Sequence, residues 1–263
     1  MTTFLEGKTA LVTGSTSGIG FEIARQLAQA GCGLMLNGVE KPSVVENAIA
    51  DLRNTGVDEV SFSDADLTDP VQVERLAADA LDRFGVIDIL VNNAGIQHVA
   101  PIETFTDDNW DRIIEINLSA PFRLIRKILP VMRTSGWGRV INIASVHGLV
   151  ASRHKSAYAA AKHGLVGLTK TVALETAVEP ITCNALCPGY VRTALMESQI
   201  TSKARAERIN TEEAAELILL EKQPSLSFVS PADIGSMVTF LCSEAGDQIT
   251  GAALTIDGGW SAQ

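Results

Sequence analysis

Short apolar runs bounded by turn residues alternate with longer segments of helical apolar spacing along the chain. Several runs are continuously apolar, as expected for strands buried on both faces of a parallel sheet. The predicted strands are 9–14, 33–38, 59–67, 87–95, 138–145, 181–189 and 253–259. The predicted helices between them are 18–30, 43–54, 70–84, 107–134, 155–178 and 231–243. This alternation predicts one α/β domain over residues 1–263, a doubly wound Rossmann fold with a seven-stranded parallel sheet.

The alternation is interrupted between residues 190 and 230. Two further helices are predicted there, at about 194–208 and 211–222, after the carboxyl end of the sixth strand. Open α/β sheets bind ligands outside the carboxyl ends of their strands, so an insertion at this place predicts a helical substrate lid. A surface hairpin that only stabilises the fold is the alternative interpretation.

Composition and charge narrow the range of partners. The chain has 263 residues and a formal net charge of -10, which argues against a nucleic-acid or anionic-membrane surface. It lacks a signal-peptide pattern and any apolar run near the roughly 18 residues of a membrane span, so a cytoplasmic protein is predicted. The four cysteines form neither a disulfide framework nor a zinc set, and buried thiols without a metal are expected.

The segment TGSTSGIG follows the first predicted strand and opens the first predicted helix. Glycines at this position allow a tight turn and close approach of a pyrophosphate, whose charge is favoured at a helix N-terminus. We therefore predict a dinucleotide-binding loop, with a ligand-free structural turn as the alternative. The predicted contacts are Gly14, Thr16, Ser17, Gly18, Ile19 and Gly20.

The segment LNGVE at the end of the second strand bears on the choice of dinucleotide. Asn37 can bond a ribose hydroxyl, and the segment has no arginine for a 2'-phosphate, which favours NAD over NADP. The usual acid is missing and Lys41 lies nearby, so NADP stays open. Asp66 and Leu67, after the third strand, are candidate adenine contacts; capping of the next helix is the alternative role for Asp66.

The segment NNAG closes the fourth strand with two amide side chains and a glycine. The amides can tie neighbouring strands together while the backbone lies flat against the cofactor ribose. The predicted cofactor contacts are Asn93, Ala94 and Gly95. A purely structural turn is the alternative.

The segment YAAAK places Tyr158 and Lys162 four positions apart on one helix face. A nearby ammonium favours the phenolate, so Lys162 is expected to lower the pKa of Tyr158 and make it a proton acceptor. Ser145 ends the fifth strand at the ligand-binding edge. Asn117 interrupts an apolar helical pattern, where its amide can bind a water that links Lys162 to solvent. A satisfied core amide is the alternative for Asn117.

Together, TGSTSGIG, NNAG, Asn117, Ser145, YAAAK and PGYVRT resemble the short-chain dehydrogenase/reductase family in order and spacing over nearly the whole chain. The resemblance implies NAD(P)-linked hydride transfer, with Tyr158 as acid/base and Lys162 on the nicotinamide ribose. It implies that Ser145 bonds the substrate oxygen and that Asn117 completes the proton relay. It also implies a homotetramer, with the C-terminal segment DGGWSAQ near a subunit interface. The implied cofactor contacts in PGYVRT are Pro188, Gly189, Val191 and Thr193, with Val191 near the nicotinamide amide and Thr193 near the phosphates.

A polar set around the reacting centre predicts a donor cluster for a small carboxylate. Its members are Gln97, His147, Lys155 and Gln199, each of which taken singly is equally typical of a surface or core position. The segments GIQH, SVHGLVAS and EKQPSLSFVSP are similar to family members that oxidise (R)-3-hydroxybutyrate to acetoacetate with NAD. Those commonly carry Trp where this chain has Tyr190, which leaves the preferred substrate length open.

The sequence is also compatible with two functions other than NAD-linked oxidation of a small hydroxy acid. One is reduction of another 3-oxo acid, an acyl thioester or a ketone with NADPH. The other is a dinucleotide-binding protein without catalysis, which the intact Ser145, Tyr158 and Lys162 disfavour. No catalytic metal is expected, whereas a structural cation between subunits is left open.

Overall fold

A computed structural model describes residues 3–57 and 59–263. Over these residues, parallel strands form one seven-stranded sheet in the order β3-β2-β1-β4-β5-β6-β7. The strands are β1 Thr9–Val12, β2 Gly33–Asn37, β3 Val60–Ser63, β4 Ile89–Asn92, β5 Gly138–Ile143, β6 Ile181–Pro188 and β7 Ala253–Ile256. The predicted fold class is confirmed. The strands are shorter than predicted because the polar and glycine residues after them belong to loops at the carboxyl edge.

Helices cover both faces of this sheet. They are α1 Gly18–Gln29, α2 Pro42–Arg53, α3 Pro70–Phe84, α4 Asp107–Ile114, α5 Ala120–Ser135, α6 Ser156–Glu175, α7 Ala194–Glu207, α8 Thr211–Lys222 and α9 Pro231–Leu241. Side chains of β1 alternate between two cores: Ala10 and Val12 pack with α1 and α9, and Leu11 packs with α3 and α5. Among the described helices, none has the length and apolarity needed to cross a membrane.

The order of the strands fixes where a ligand can bind. β1 pairs with β2 on one side and with β4 on the other, so the chain reverses its direction of winding at β1. The loops that follow β1 and β4 therefore diverge at the carboxyl edge and leave a crevice between them. The glycine-rich loop and the NNAG segment are these two loops.

The helix predicted over 107–134 is interrupted. α4 ends at Ile114, a π-helical turn spans Glu115–Ser119, and α5 begins at Ala120. Pro121 explains the break, because it has no N–H to donate to the carbonyl of Asn117 four residues earlier. Single π turns inside helices occur frequently at functional sites, and here the turn contains Asn117.

The segment 190–230 leaves and rejoins the body of the protein at one place. Val191 forms a parallel bridge with Val229, whose N–H donates to the Tyr190 carbonyl at 2.8 Å. Between these points α7 and α8 pack against each other through a small core of their own, formed by Met196, Ile200, Ala204, Ala214 and Ile218. This is a compact helical pair standing at the carboxyl edge of the sheet.

Candidate active site

The glycine-rich loop has the geometry of an anion cradle. Gly14 has a φ of 59°, and a Cβ on Gly20 would overlap the Gly14 carbonyl oxygen. Ser17 begins α1 without a side-chain capping hydrogen bond, so N–H groups of the first turn stay open to a ligand. Thr16 Oγ1 is buried without a hydrogen-bond partner among the described residues. This loop fits a dinucleotide phosphate.

The NNAG segment is tied to the glycine-rich loop. Asn93 Nδ2 donates to the carbonyls of Thr13 and Gly14, at 2.9 and 3.0 Å. Thr13 Oγ1 accepts from the N–H groups of Asn93 and Ala94, both at 3.0 Å. The neighbouring Asn92 reaches the next strand, where its Nδ2 donates to Asn142 Oδ1 at 2.8 Å. The amides thus hold the two loops in register across the crevice.

Asn37 lines the cavity beside the glycine-rich loop. Its side chain is only 1% exposed, and Nδ2 donates to the carbonyls of Ser63 and Ala65 at 3.2 and 2.9 Å. Both amide protons are therefore donated to carbonyls at and just beyond the end of β3, so Oδ1 is the side-chain atom that remains for a ribose hydroxyl. Oδ1 accepts from the Gly14 N–H at 3.5 Å, so Asn37 braces the glycine-rich loop.

An acid that the sequence analysis missed lies beside this position. A Cβ on Gly38 would collide with the carboxylate of Glu40 and would lie 2.8 Å from Thr16 Oγ1. Glu40 lines the same cavity as Gly38, Asp66 and the NNAG residues. It was missed because the acid was sought at the end of β2, whereas Glu40 stands two residues beyond Gly38 and folds back over it.

Asp66 and Leu67 line the wall of this cavity. The Asp66 carboxylate accepts from the N–H and the hydroxyl of Thr68, at 2.9 and 2.8 Å. The residue that caps α3 is Asp69, whose carboxylate accepts from the Val71 N–H. Asp66 therefore stabilises the turn before the helix and is not its N-cap.

The predicted catalytic side chains converge on a second cavity of about 190 Å³. Ser145 follows β5, and Tyr158 and Lys162 project from the first turns of α6. Lys162 Nζ donates to the Ile143 carbonyl at 2.7 Å and lies 5.7 Å from the centre of the Tyr158 ring. The Lys162 ammonium is thus held at the face of the phenol ring by the end of β5.

Two opposing influences act on the pKa of Tyr158. Burial raises it above its ordinary value, and the hydrogen bond with Ser145 opposes that rise. Burial also lowers the pKa of Lys162 to about 8, so the ammonium that was expected to acidify the phenol is itself weakened. The protein alone therefore keeps Tyr158 protonated, and a positive charge from a bound oxidised nicotinamide is needed to favour the phenolate.

Asn117 presents an unused acceptor next to this pair. Its Nδ2 donates to the carbonyls of Ile96 and Ile113, both at 2.9 Å. Its buried Oδ1 has no hydrogen-bond partner among the described residues. A Cβ placed on Gly95 would lie 2.6 Å from this oxygen and 3.6 Å from Lys162 Nζ. The space above Gly95 is therefore flanked by an acceptor and an ammonium, which suits a bound water or a ribose hydroxyl.

The carboxylate cluster predicted from the sequence lies around the same cavity. Its wall includes Gln97, His147, Lys155, Tyr190 and Gln199, together with the nicotinamide-side residues Pro188, Gly189, Val191 and Thr193. Trp260 also lines it and was missed. Its ring lies 5.4 Å from that of His147 and 4.7 Å from that of Tyr190, within the same chain. The sequence did contain an indication of this role: Trp260 directly follows the last predicted strand, and only 5% of the residues in the chain are aromatic.

Lys155 carries the only charge predicted for the substrate end, and the structure leaves that charge without a counter-ion. No carboxylate of the described residues lies within 4.0 Å of its Nζ, the limit for an ion pair. Burial lowers the pKa of Lys155. By contrast, Arg192 pairs with Glu197 at 2.6 Å and does not line the cavity. An uncompensated cation in a cavity wall favours an anionic ligand.

His147 is expected to make the protein less stable in acid. Burial, followed by the nearby Lys155 ammonium, lowers its pKa from 6.5 to about 4. The unfolded chain therefore binds more protons between these values, so the stability contributed at neutral pH is lost as the pH falls through this window. Between pH 7 and 4.5 this loss amounts to about 2 kcal/mol.

Urea unfolding of the wild type and His147→Gln at both pH values measures this effect. His147→Gln is expected to lose less stability on acidification, by about that amount. His163→Gln, which changes an exposed histidine on α6, serves as the matched control and should follow the wild type. Equal acid sensitivity in all three proteins would contradict the prediction.

The two cavities form one groove. They share wall residues from the glycine-rich loop, the NNAG loop and the start of the lid, namely Ile19, Asn93, Gly95, Ile96 and Thr193. Gly18 lies beside the shared residue Thr193, whose methyl group would contact a Cβ there at 3.9 Å. In the described part of the chain, no group of three or more His, Cys, Asp or Glu side chains has a metal-binding arrangement. The groove thus runs from the glycine-rich loop, which can bind an anion, to the hydroxyls of Ser145 and Tyr158 and the ammonium of Lys162.

The fold and this groove define a nicotinamide-linked oxidoreductase, and the chain belongs to the short chain dehydrogenase family, whose profile matches residues 8–204. Among curated relatives, the D-beta-hydroxybutyrate dehydrogenase of Rhizobium meliloti is 48% identical over 97% of this chain and 99% of that protein. The D-beta-hydroxybutyrate dehydrogenase of Cupriavidus necator is 50% identical over 98% and 100%. A dehydrogenase with a nicotinamide cofactor follows from these relationships.

Two solved structures of related enzymes have the same fold as this chain. Levodione reductase superposes with a TM-score of 0.89 at 36% identity and covers 98% of each chain. A variant of actinorhodin polyketide ketoreductase with NADPH gives 0.91 at 35% identity over the full length of both chains. These neighbours share the architecture but differ in the compounds that their names specify.

Proposed function

We propose that the protein oxidises (R)-3-hydroxybutyrate to acetoacetate, reversibly, with NAD as the hydride acceptor. The observation that carries the proposal is the unpaired Lys155 ammonium in the wall of the catalytic cavity, next to Ser145 and Tyr158. A small hydroxy acid supplies a carboxylate to Lys155 and a hydroxyl to the catalytic pair in the same molecule. The names of the two curated relatives support this choice.

Binding at both ends orients the substrate. Gln97 and Gln199 offer amide donors to the carboxylate in addition to Lys155, and Gln199 comes from α7. The Trp260 and Tyr190 rings enclose the remaining carbon atoms. Holding the carboxylate and the C3 hydroxyl at fixed points presents one face of C3 to the cofactor end of the groove.

The chemistry uses the side chains at the end of β5 and the start of α6. Ser145 donates a hydrogen bond to the C3 oxygen, and Tyr158 accepts the hydroxyl proton. The proton passes towards solvent by way of Lys162 and a water at Asn117. An oxidised nicotinamide, when bound, would supply the acceptor for the C3 hydride and a positive charge beside the Tyr158 phenol. The residues that would hold the dinucleotide are those of the glycine-rich loop, the NNAG loop, Lys162 and the PGYVRT segment.

Initial rates test this proposal directly. We expect NAD-dependent oxidation of (R)-3-hydroxybutyrate with the highest kcat/KM, lower values for 3-hydroxyvalerate, and little activity on butan-2-ol, which lacks the carboxylate. Equal rates on butan-2-ol and 3-hydroxybutyrate would exclude the proposed substrate class. The alternative is reduction of another 3-oxo acid, acyl thioester or ketone with NADPH, which the similarity to an NADPH-containing ketoreductase supports. It predicts the highest rates in the reductive direction with that cofactor.

The preference for NAD is proposed to depend on Glu40. Its carboxylate stands over Gly38 beside the unpaired Thr16 hydroxyl, where it can accept from a ribose hydroxyl and repel a 2'-phosphate. Glu40→Gln is expected to strengthen NADP binding by about tenfold and to change NAD binding less. Calorimetric Kd values for both dinucleotides measure this change, and Glu46→Gln on α2 is the control. An unchanged ratio of the two Kd values would rule out this role for Glu40.

We further propose that 190–230 acts as a substrate lid and that the chain forms a homotetramer. Met196 and Gln199 of α7 line the catalytic cavity, which supports a lid. Large apolar side chains stay exposed on three neighbouring helices, with Trp110 on α4, Phe122 on α5 and Leu174 on α6. Such a surface is typical of an association site. Light scattering of the purified protein measures the assembly.

A further inference from the structure

The ring of His147 is held between two serine hydroxyls. Nδ1 lies 3.3 Å from Ser145 Oγ, and Nε2 lies 2.9 Å from Ser152 Oγ. The rings of Tyr158 and Trp260 meet it edge-on at 5.8 and 5.4 Å, and the side chain is only 4% exposed. Both ring nitrogens therefore have a hydroxyl partner within the protein, whereas the sequence analysis assigns His147 to the substrate carboxylate.

A neutral imidazole has one N–H and one acceptor nitrogen, so the two hydroxyls cannot play the same role. In one arrangement Ser152 donates to Nε2, and Nδ1–H donates to Ser145 Oγ. In the other, Nε2–H donates to Ser152, and the Ser145 hydroxyl must donate to Nδ1. The pKa of about 4 for His147 means that the doubly protonated ring is not populated at neutral pH.

These two arrangements differ in what remains for the substrate. Ser145 Oγ already accepts from the N–H of His147 at 3.1 Å, and the hydroxyl has one proton to give. That proton is free for the C3 oxygen only when His147 donates through Nδ1 and the substrate oxygen replaces Tyr158 as the hydrogen-bond partner of the Ser145 hydroxyl. With the other tautomer, the proton of Ser145 is engaged by the histidine ring and the C3 oxygen has no donor from Ser145.

We propose that Ser152 is a positioning residue: by donating to Nε2 of His147, it places the ring proton on Nδ1 and directs the Ser145 hydroxyl to the substrate oxygen. The proposal rests on the proposed function for the identity of that oxygen. Ser152 makes no other side-chain hydrogen bond within the described residues, so its proton is available to Nε2. The sequence gives no sign of this role, because Ser152 lies seven residues after Ser145 in an ordinary polar loop.

Nitrogen-15 NMR of the cofactor-free protein tests the proposal, because it reports which ring nitrogen carries the proton. His147 is assigned by comparison with His147→Gln, since the other three histidines are exposed. The wild type is expected to show the Nδ1-protonated tautomer. Ser152→Ala is expected to shift His147 to the Nε2-protonated form and to lower kcat by about tenfold, with KM changed less than about twofold. Ser152→Thr retains a hydroxyl and should restore both properties.

Ser243→Ala, which removes an exposed hydroxyl that bonds only the carbonyl of Phe240, is the control for both measurements. Thermal unfolding of each variant shows whether a lower kcat comes from a destabilised fold or from a misdirected Ser145 hydroxyl in a folded protein. A wild-type ring protonated on Nε2, or a Ser152→Ala protein with unchanged tautomer or unchanged kcat, overturns the proposal. Failure of the proposed function is distinguishable, since it appears as absent turnover of 3-hydroxybutyrate by the wild type. In that case the kcat and KM of the Ser152 variants are measured with the alcohol that the wild type does oxidise.

Discussion

Replacing Tyr158 by phenylalanine is expected to lower kcat by about three orders of magnitude and to leave the Kd for the dinucleotide within about twofold. The phenol is the hydroxyl that Ser145 and Lys162 bracket at the cavity, whereas the dinucleotide is held mainly by the glycine-rich and NNAG loops. Phenylalanine keeps the ring that packs against His147 and removes only the proton acceptor. Steady-state rates and a separate calorimetric titration with NAD measure the two quantities.

Tyr190→Phe is the matched comparison, because Tyr158 and Tyr190 are the two tyrosines of the chain and both line the cavity. Tyr190 packs against Trp260 and the core of the lid, so loss of its hydroxyl is expected to act mainly on KM. Its kcat should stay within about an order of magnitude of the wild type. If Tyr158→Phe retains wild-type turnover, or if the two variants lose kcat equally, Tyr158 is not the proton acceptor.

The sheet could be predicted because its strands are buried on both faces. β2 and β4 have every residue buried and consist mainly of apolar residues, and such strands between helical segments leave few alternative folds. The interruption of the helix at Glu115–Ser119 was not predicted, although its cause was in the sequence. In the sequence, Pro121 was compatible either with the first turn of a new helix or with the interior of one long helix. The structure has the first arrangement, in which the π turn lets Asn117 bond the Ile96 carbonyl beside the NNAG segment.

Proximity between residues close in the sequence could be predicted, whereas a contact between residues far apart in the sequence, such as that of Trp260, could not. Tyr158 and Lys162 share a helix face, so their proximity follows from a spacing of four. Trp260 reaches His147 across more than a hundred residues, which no local pattern indicates. Burial of Tyr158, which raises its pKa, was not predicted for a similar reason, because burial depends on the whole fold whereas the effect of Lys162 was inferred from one helix.

Replacing Lys155 by glutamine is expected to raise KM for (R)-3-hydroxybutyrate by about 100-fold and to change kcat much less. A hydrogen bond to a charged group contributes about 1.5–3 kcal/mol, and the substrate carboxylate would also lose the cationic partner proposed for it. The effect falls on KM because the carboxylate keeps its charge while C3 is oxidised, so the interaction is equal in the ground and transition states. Steady-state rates over a wide range of substrate concentration measure both constants.

Two comparisons isolate the charge of Lys155 from its bulk. Lys170→Gln removes an exposed ammonium from α6, the helix that Lys155 immediately precedes, and is expected to leave KM unchanged. Butan-2-ol, which has a hydroxyl but no carboxylate, should be oxidised equally slowly by the wild type and by Lys155→Gln. The difference between the two substrates then gives the contribution of the ion pair, since both share the Ser145 and Tyr158 contacts. If Lys155→Gln weakens oxidation of both alcohols to the same extent, Lys155 supports the fold of the cavity and the substrate carboxylate binds elsewhere.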